Sequence, residues 1–218
     1  YVDTGIYPRS SPLVISIPSV SPTNYVVIQG STNEAAGGTV FTNASGAVLN
    51  LQNVRKVELR DLRLHGGGPG LAFTQASENR LLRIRAVGTR GNAFDLGVQC
   101  DQNRFIQCAA LNFSSTGFHV ATPTAYDIAP ATNSWSGGVI SSIAAAPNGV
   151  AAATGALMGV QSGRIHVSNS VFVANGPEHV IFSTAAGVVR GGYNLFHRGF
   201  TNSPLAGAAH GAAVVGGA

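Results

Sequence analysis

Leu59-Arg60-Asp61-Leu62-Arg63-Leu64 recurs further along the chain as Leu81-Leu82-Arg83-Ile84-Arg85-Ala86 and again as Phe105-Ile106-Gln107-Cys108-Ala109-Ala110. Each copy has an apolar residue two positions before a central turn residue. Apolar or small residues follow one and three positions after it, with an outward position between them. Two looser copies are Trp135-Ser136-Gly137-Gly138-Val139-Ile140 and Val167-Ser168-Asn169-Ser170-Val171-Phe172, and the turn residues 61, 83, 107, 137 and 169 are 22, 24, 30 and 32 positions apart. An interval of about two dozen residues is one coil of a solenoid, in which each coil buries its apolar side only against its neighbours. The two longer intervals read as coils carrying insertions, placed at 121–130 and 144–154.

A second strand recurs about ten residues later, usually after a glycine, as Leu71-Ala72-Phe73, Phe94-Asp95-Leu96, Phe118-His119-Val120 and Val180-Ile181-Phe182, with Leu49-Asn50-Leu51 opening the series. The period is two throughout, as strands with one buried face require, and no segment sustains a period of 3.6. The outer residues of each triplet therefore face inward. Parallel strands stack about 4.8 Å apart, so Leu49, Leu71, Phe94 and Phe118 should form one internal ladder. Leucine-rich and helical repeats are disfavoured, because they need apolar helical segments that the chain lacks.

Composition fits this reading. Among 218 residues there are 28 glycines and only 10% charged and 7% aromatic residues, so the chain has small and β-branched side chains to bury and many tight turns to make. The formal charge of +4 comes from 13 basic against 9 acidic residues, and Lys56 is the single lysine. The arginines are dispersed, without a basic run, and nucleic acid is not an expected partner. Cys100 and Cys108 are the only cysteines, so no disulfide framework is expected and both thiols should be buried. The most apolar stretch, 144–160, is interrupted by Pro147, Asn148, Gly149, Gly155 and Gly159, and membrane insertion is not expected. The chain opens at Tyr1 without a basic and apolar leader pattern, which leaves a removed leader or an excised internal piece, and the second is favoured. The 218 residues read as a single domain cut from a larger protein, with opening coils at 1–45, regular coils at 46–200 and a tail at 201–218.

The run Asn53-Val54-Arg55-Lys56-Val57-Glu58-Leu59-Arg60-Asp61-Leu62-Arg63-Leu64-His65-Gly66-Gly67 resembles a coil of the right-handed parallel β-helix in pectin-lyase-like proteins. Asn103-Arg104-Phe105-Ile106-Gln107-Cys108-Ala109 is similar to their Asn-x-Ile-x-Asn-Cys coil, with Gln107 where Asn is usual. Tyr1-Val2-Asp3-Thr4-Gly5-Ile6-Tyr7, followed by Ser11-Pro12-Leu13-Val14-Ile15, looks like the first coil of bacterial members, and Gly192-Tyr193-Asn194-Leu195-Phe196 like a late coil of large surface proteins. The resemblance implies an all-β right-handed parallel β-helix of the kind used by bacterial surface proteins and phage tailspikes. That scaffold serves lyases, hydrolases, epimerases, tailspikes and adhesins, so function has to come from particular residues.

The outward line of the glycine-following strand is Asn50, Ala72, Asp95, His119, with Gln52, Thr74, Gly97 and Ala121 two positions on. In this register Asp95 and His119 are neighbours, and a carboxylate beside an imidazole fixes one tautomer, as a general base needs. In enzymes that this chain resembles, substrate lies along an exposed strand face, so Asp95 and His119 are the candidate catalytic residues. Arg63 and Arg85 occupy equivalent outward positions, as do Glu58, Arg80 and Arg104. Stacked guanidinium groups suit the carboxylates of an acidic polysaccharide, and Asn50, Gln52, Thr74, Arg63 and Arg85 are the candidate carbohydrate contacts. Against this stand solvated ion pairs, with Glu58 bridging to Arg80.

The aspartates Asp3, Asp61, Asp95, Asp101 and Asp127 are scattered, and no polygalacturonase signature is present. Asp101 and Asp127 offer too few oxygens for a hard cation, so neither metal nor cofactor is expected. Trp135 falls on an inward position and should be core rather than a sugar platform with Tyr126 and Tyr193. His65, His166, His179, His197 and His210 show no ligand spacing, and read as surface or turn residues. Asn43-Ala44-Ser45 and Asn112-Phe113-Ser114 match the glycosylation triplet, a pattern frequent by chance.

The expectation is a non-catalytic extracellular or cell-surface module, a structural stalk or glycan-contacting surface. The alternatives are a polysaccharide lyase or glycoside hydrolase, including a phage depolymerase, working near Asp95 and His119, or a fibre or trimeric spike subunit. The partners to expect are an acidic polysaccharide or further copies of the chain.

Overall fold

The computed structural model describes residues 1–16, 24–121, 132–142, 157–160, 163–174, 181–183, 187–198, 205–207 and 213–214. These residues form an all-β parallel solenoid of three eight-stranded sheets in which every pairing is between successive coils. The first sheet holds Gly5–Arg9, Thr39–Asn43, Leu62–Gly66, Arg85–Val87, Ala109–Leu111, Val139–Ser142, Val171–Ala174 and Leu195–Arg198. The second holds Leu13–Ile15, Leu49–Gln52, Leu71–Thr74, Phe94–Leu96, Phe118–Val120, Met158–Val160, Ile181–Ser183 and Leu205–Gly207. The third holds Val26–Gln29, Val57–Arg60, Arg80–Leu82, Arg104–Ile106, Thr132–Ser136, Gly163–Ser168, Gly187–Gly192 and Ala213–Val214. No α-helix occurs among the described residues; the only helical turn there is a 3-10 turn at Glu34–Ala36, capped by Asn33.

The repeat's turn residue is the corner between the third and first sheets. Asp61, Arg83, Gln107, Asn169 and Tyr193 all have φ between 49° and 58°, and Gly137 has φ 61°. One left-handed residue reverses the inward–outward alternation, so that Leu59 and Leu62 on either side of Asp61 both enter the core. Leu59, Leu81, Phe105, Trp135 and Val167 stack in register. So do Leu49, Leu71, Phe94 and Phe118, all essentially without solvent exposure.

Two features depart from the sequence expectation. The second-sheet ladder continues from Phe118 to Met158 and then Ile181, so Met158–Val160 is a strand that the repeat did not reveal. The late triplet is shifted by one: Ile181 and Ser183, rather than Val180 and Phe182, stand in register with Phe118 and Val120. A one-residue slip moves every side chain to the other face, and in a coil of irregular length nothing local pins the register. The excess residues of the two long coils fall between Phe118–Val120 and Thr132–Ser136 and between Val139–Ser142 and Met158–Val160; the predicted insertions 121–130 and 144–154 lie there, all but Ala121 outside the described residues. Within the predicted tail, Leu205–Gly207 and Ala213–Val214 extend the second and third sheets.

Ring packing fills the centre of the stack. Phe105 lies 4.9 Å from Phe118, 5.6 Å from Phe73 and Phe94, and 5.8 Å from Trp135 between ring centroids. Trp135 is fully buried, as its inward position required. Its size dictates Gly138, where other coils carry Leu62, Ile84 or Cys108. A Cβ at 138 would stand 2.5 Å from the Cys108 carbonyl oxygen and 2.6 Å from Trp135 Nε1.

At the corner before the third sheet, Asn79, Asn103 and Asn133 are buried and stacked. Asn79 Nδ2 donates to Asn103 Oδ1 at 3.0 Å, and Asn103 Nδ2 donates to Asn133 Oδ1 at 3.2 Å and to the Ala76 carbonyl at 2.9 Å. The backbone amides of Val57, Asn79 and Asn103 donate to the side-chain oxygen of the asparagine one coil on. These bonds supply partners for amides at a bend in the chain.

Candidate functional site

Along the outer face of the second sheet, Asn50, Ala72, Asp95, His119 and Gly159 stand in one register line. Asp95 and His119 are neighbours there, with His119 Nδ1 2.7 Å from Asp95 Oδ1. An ionised carboxylate only accepts, so Nδ1–H is the donor and Nε2 is the nitrogen left for a substrate. The two side chains are 29% and 19% exposed, enough for a ligand to reach them from the strand face.

The pair can orient one imidazole and pass one proton. Glycoside hydrolysis takes a second carboxyl group about 5–10 Å from the first. Asp95 and His119 have Ala72 on one side and Gly159 on the other along their register line, which supply none. No group of three or more potential metal ligands occurs among the described residues.

The five candidate carbohydrate contacts divide between two faces. Asn50, Gln52 and Thr74 share the second sheet with Asp95 and His119, Gln52 opposite Thr74. The Asn50 side-chain oxygen is shielded from solvent and has no hydrogen-bond partner. Arg63 and Arg85 are paired in register on the first sheet, as the repeat required. There the chain provides its own carboxylate: Glu34, on the 3-10 turn, places one oxygen 2.9 Å from Arg85 Nη2 and the other 3.6 Å from Arg63 Nη2. Sequence reasoning missed Glu34 because its turn lies outside the repeat.

Other charges on these coils are matched in the same way. Arg83 holds Asp61 through two hydrogen bonds of 2.6 and 3.0 Å, which raise the guanidinium's already high pKa, with the carboxylate's charge a smaller contribution after desolvation. Glu58 bridges Arg60 and Arg80, the latter at 3.8 Å, and Arg80 also lies over the Tyr25 ring at 4.2 Å. Arg55 pairs with Glu78. His65 is held below its ordinary pKa by desolvation and then by Arg63. Asn43 is a turn residue: its buried side-chain oxygen accepts from the Ser45 and Gly46 amides.

Both cysteines are buried thiols, neither of them in a disulfide. Burial pushes the Cys108 thiol up to about 12 from the ordinary 9.0, against the smaller lowering effect of nearby backbone hydrogen bonds. Between these values the unfolded chain loses a proton that the folded chain keeps, so stability falls as pH rises from about 9 towards 12. Cys108→Ala should remove a loss of about 1 kcal/mol between pH 7 and 10, measured as the difference between the two proteins' urea midpoints across that range. An unchanged alkaline slope in the variant would refute the assignment.

No protein-family model matches the chain, and no curated protein matches it.

Proposed function

We propose that the chain is a non-catalytic module of an extracellular or cell-surface protein, a right-handed β-helix of the pectin-lyase-like kind that serves as a rigid stalk with a glycan-contacting surface. One observation carries this reading: outward cations of the early coils are matched by the chain's own acids, Glu34 with Arg63 and Arg85, Asp61 with Arg83, and Glu58 with Arg60 and Arg80. Such pairs add little stability singly, but they leave few groups poised for chemistry. A stack whose coils are joined by backbone ladders, an asparagine ladder and a closely packed apolar core is stiff along its axis, as a spacer must be.

Polysaccharide cleavage is the second reading, favoured by the 2.7 Å contact between Asp95 and His119. The two readings separate in a cleavage assay over acidic and neutral polysaccharides, scoring new reducing ends and unsaturated uronates. The expected result is no product from the wild-type chain. Product that forms and falls a hundredfold or more in Asp95→Ala or His119→Ala would overturn the non-catalytic reading. A fibre subunit is favoured by the outward Ile6, Val14 and Val27 of the first coil, 71%, 49% and 46% exposed, and would sediment as dimers or trimers.

A further inference from the structure

Self-matching of charge stops part-way along the third sheet. The outward ladder there runs Val27, Glu58, Arg80, Arg104, Ser134, His166, Arg190. Glu58 answers Arg80 and Arg60 in the lower coils. Above them, Arg104, His166 and Arg190 are exposed, and among the described residues no carboxylate forms a salt bridge with them. The acid closest to them in sequence is Asp101, whose carboxylate accepts from the Gln102 amide at 2.7 Å. After residue 101 the whole chain carries only Asp127 and Glu178 as acids, against four arginines.

The same stretch of sheet is concave. A cleft of about 560 Å³ opens over Ser134 and Ser136, with Arg104 and Ile106 along one wall and His166 and Ser168 along the other. Its origin is side-chain length: in register, two serines stand between longer residues one coil below, and beneath a histidine one coil above. At about 4.8 Å per strand, Arg104 and His166 flank the floor about 10 Å apart, and Arg190 continues the line one coil further. Hydroxyls on the floor, the Arg104 guanidinium at one end and the hydrogen-bonding ring of His166 at the other form a lining that accepts an anionic group in any of several poses, and the volume lies in the range of small-ligand sites.

We propose that this notch binds an anionic glycan, a chain of sugars bearing carboxylates or sulfates, with one acidic group held between Arg104 and His166 and the chain running along the ladder towards Arg190. The notch lies on a different sheet from Asp95 and His119. The proposal rests on the glycan-contacting reading and gives it a site and a ligand class. Arg104 supplies a planar fork for a carboxylate or sulfate oxygen pair, and the serine hydroxyls supply donors to ring oxygens and acceptors from sugar hydroxyls. The contact is open to solvent, so salt weakens it.

The test is affinity electrophoresis and titration calorimetry of the whole chain with polygalacturonate, heparin, a neutral galactan and single-stranded DNA. The variants are Arg104→Gln/His166→Gln, the floor-filling Ser134→Phe, and Arg9→Gln as an equal loss of charge on the first coil; thermal melts verify that each one folds. Binding of polygalacturonate or heparin that weakens tenfold or more in the double variant and in Ser134→Phe, and stays within twofold in Arg9→Gln, supports the notch. Tighter binding of heparin, which carries sulfates beside its carboxylates, than of polygalacturonate, which carries carboxylates alone, shows that sulfate strengthens the contact. Equal binding by wild type and the double variant overturns the notch, as does undiminished binding by a folded Ser134→Phe, or DNA binding as tight as that of the glycans. Galactan binding that none of these variants disturbs would preserve the glycan-contacting reading while overturning the anionic notch. Cleavage lost in Asp95→Ala would instead remove the non-catalytic reading and leave the notch standing on its binding data.

Discussion

Replacing Asn103 with leucine is expected to destabilise the fold by about 3–5 kcal/mol, read from chemical denaturation followed by far-ultraviolet circular dichroism. Leucine nearly matches asparagine in shape, so the cost is one of hydrogen bonding. Asn103 Oδ1 accepts from the Asn79 amide at 3.2 Å and from Asn79 Nδ2 at 3.0 Å, and its own Nδ2 donates to the Ala76 carbonyl at 2.9 Å. All of these groups lie at a corner where the three asparagines are 0–1% exposed, so water does not readily replace the lost partners. Each buried group left unpaired costs about 1–3 kcal/mol, and the ladder's bonds support one another. Asn33→Ala, which removes one exposed cap bond to Ala36, is the comparison and should cost about 1 kcal/mol or less. A loss below 1 kcal/mol for Asn103→Leu would mean that the ladder does not hold this corner.

Phe105→Ala is expected to cost a similar amount, about 3–5 kcal/mol, through the cavity left at the centre of the ring cluster. Phe105 is 1% exposed and touches Phe73, Phe94, Phe118 and Trp135, which come from two sheets and three neighbouring coils. Those rings are themselves held by strand ladders above and below, so they cannot close the gap without moving backbone. Phe41, 8% exposed with only Tyr7 as its ring partner at 5.4 Å, is the control: Phe41→Ala should cost roughly half as much. Equal losses at the two positions would argue that the core relaxes freely and that the stack is less rigid than a spacer requires.

The repeat made the stack legible because the coils between residues 46 and 120 are nearly uniform. In that region the spacing of Leu59, Leu81 and Phe105 is the register itself, and it brings Asp95 beside His119. The same uniformity hid the asparagine ladder. Asn79, Asn103 and Asn133 each lie four residues before a turn residue, a regularity present in the chain but masked by the expectation that inward positions are apolar. In the long coils the regularity fails, and with it the register of Ile181. Asp95 and His119 were legible as a pair because both lie on the ladder; what surrounds them was not.

Alternation with period two and a turn residue that recurs about every two dozen positions are written in the sequence, and together they determined that this chain winds into stacked parallel strands. Charge matching was decided by the folded stack. Glu34 reaches Arg63 and Arg85 from a turn outside the repeat, Trp135 compels glycine at 138, and two serines sink the floor between Arg104 and His166. A ladder specifies only what lies one strand above and below. Contacts made by excursions from the coil, and hollows made by differences in side-chain length, exist only once all the coils are in place.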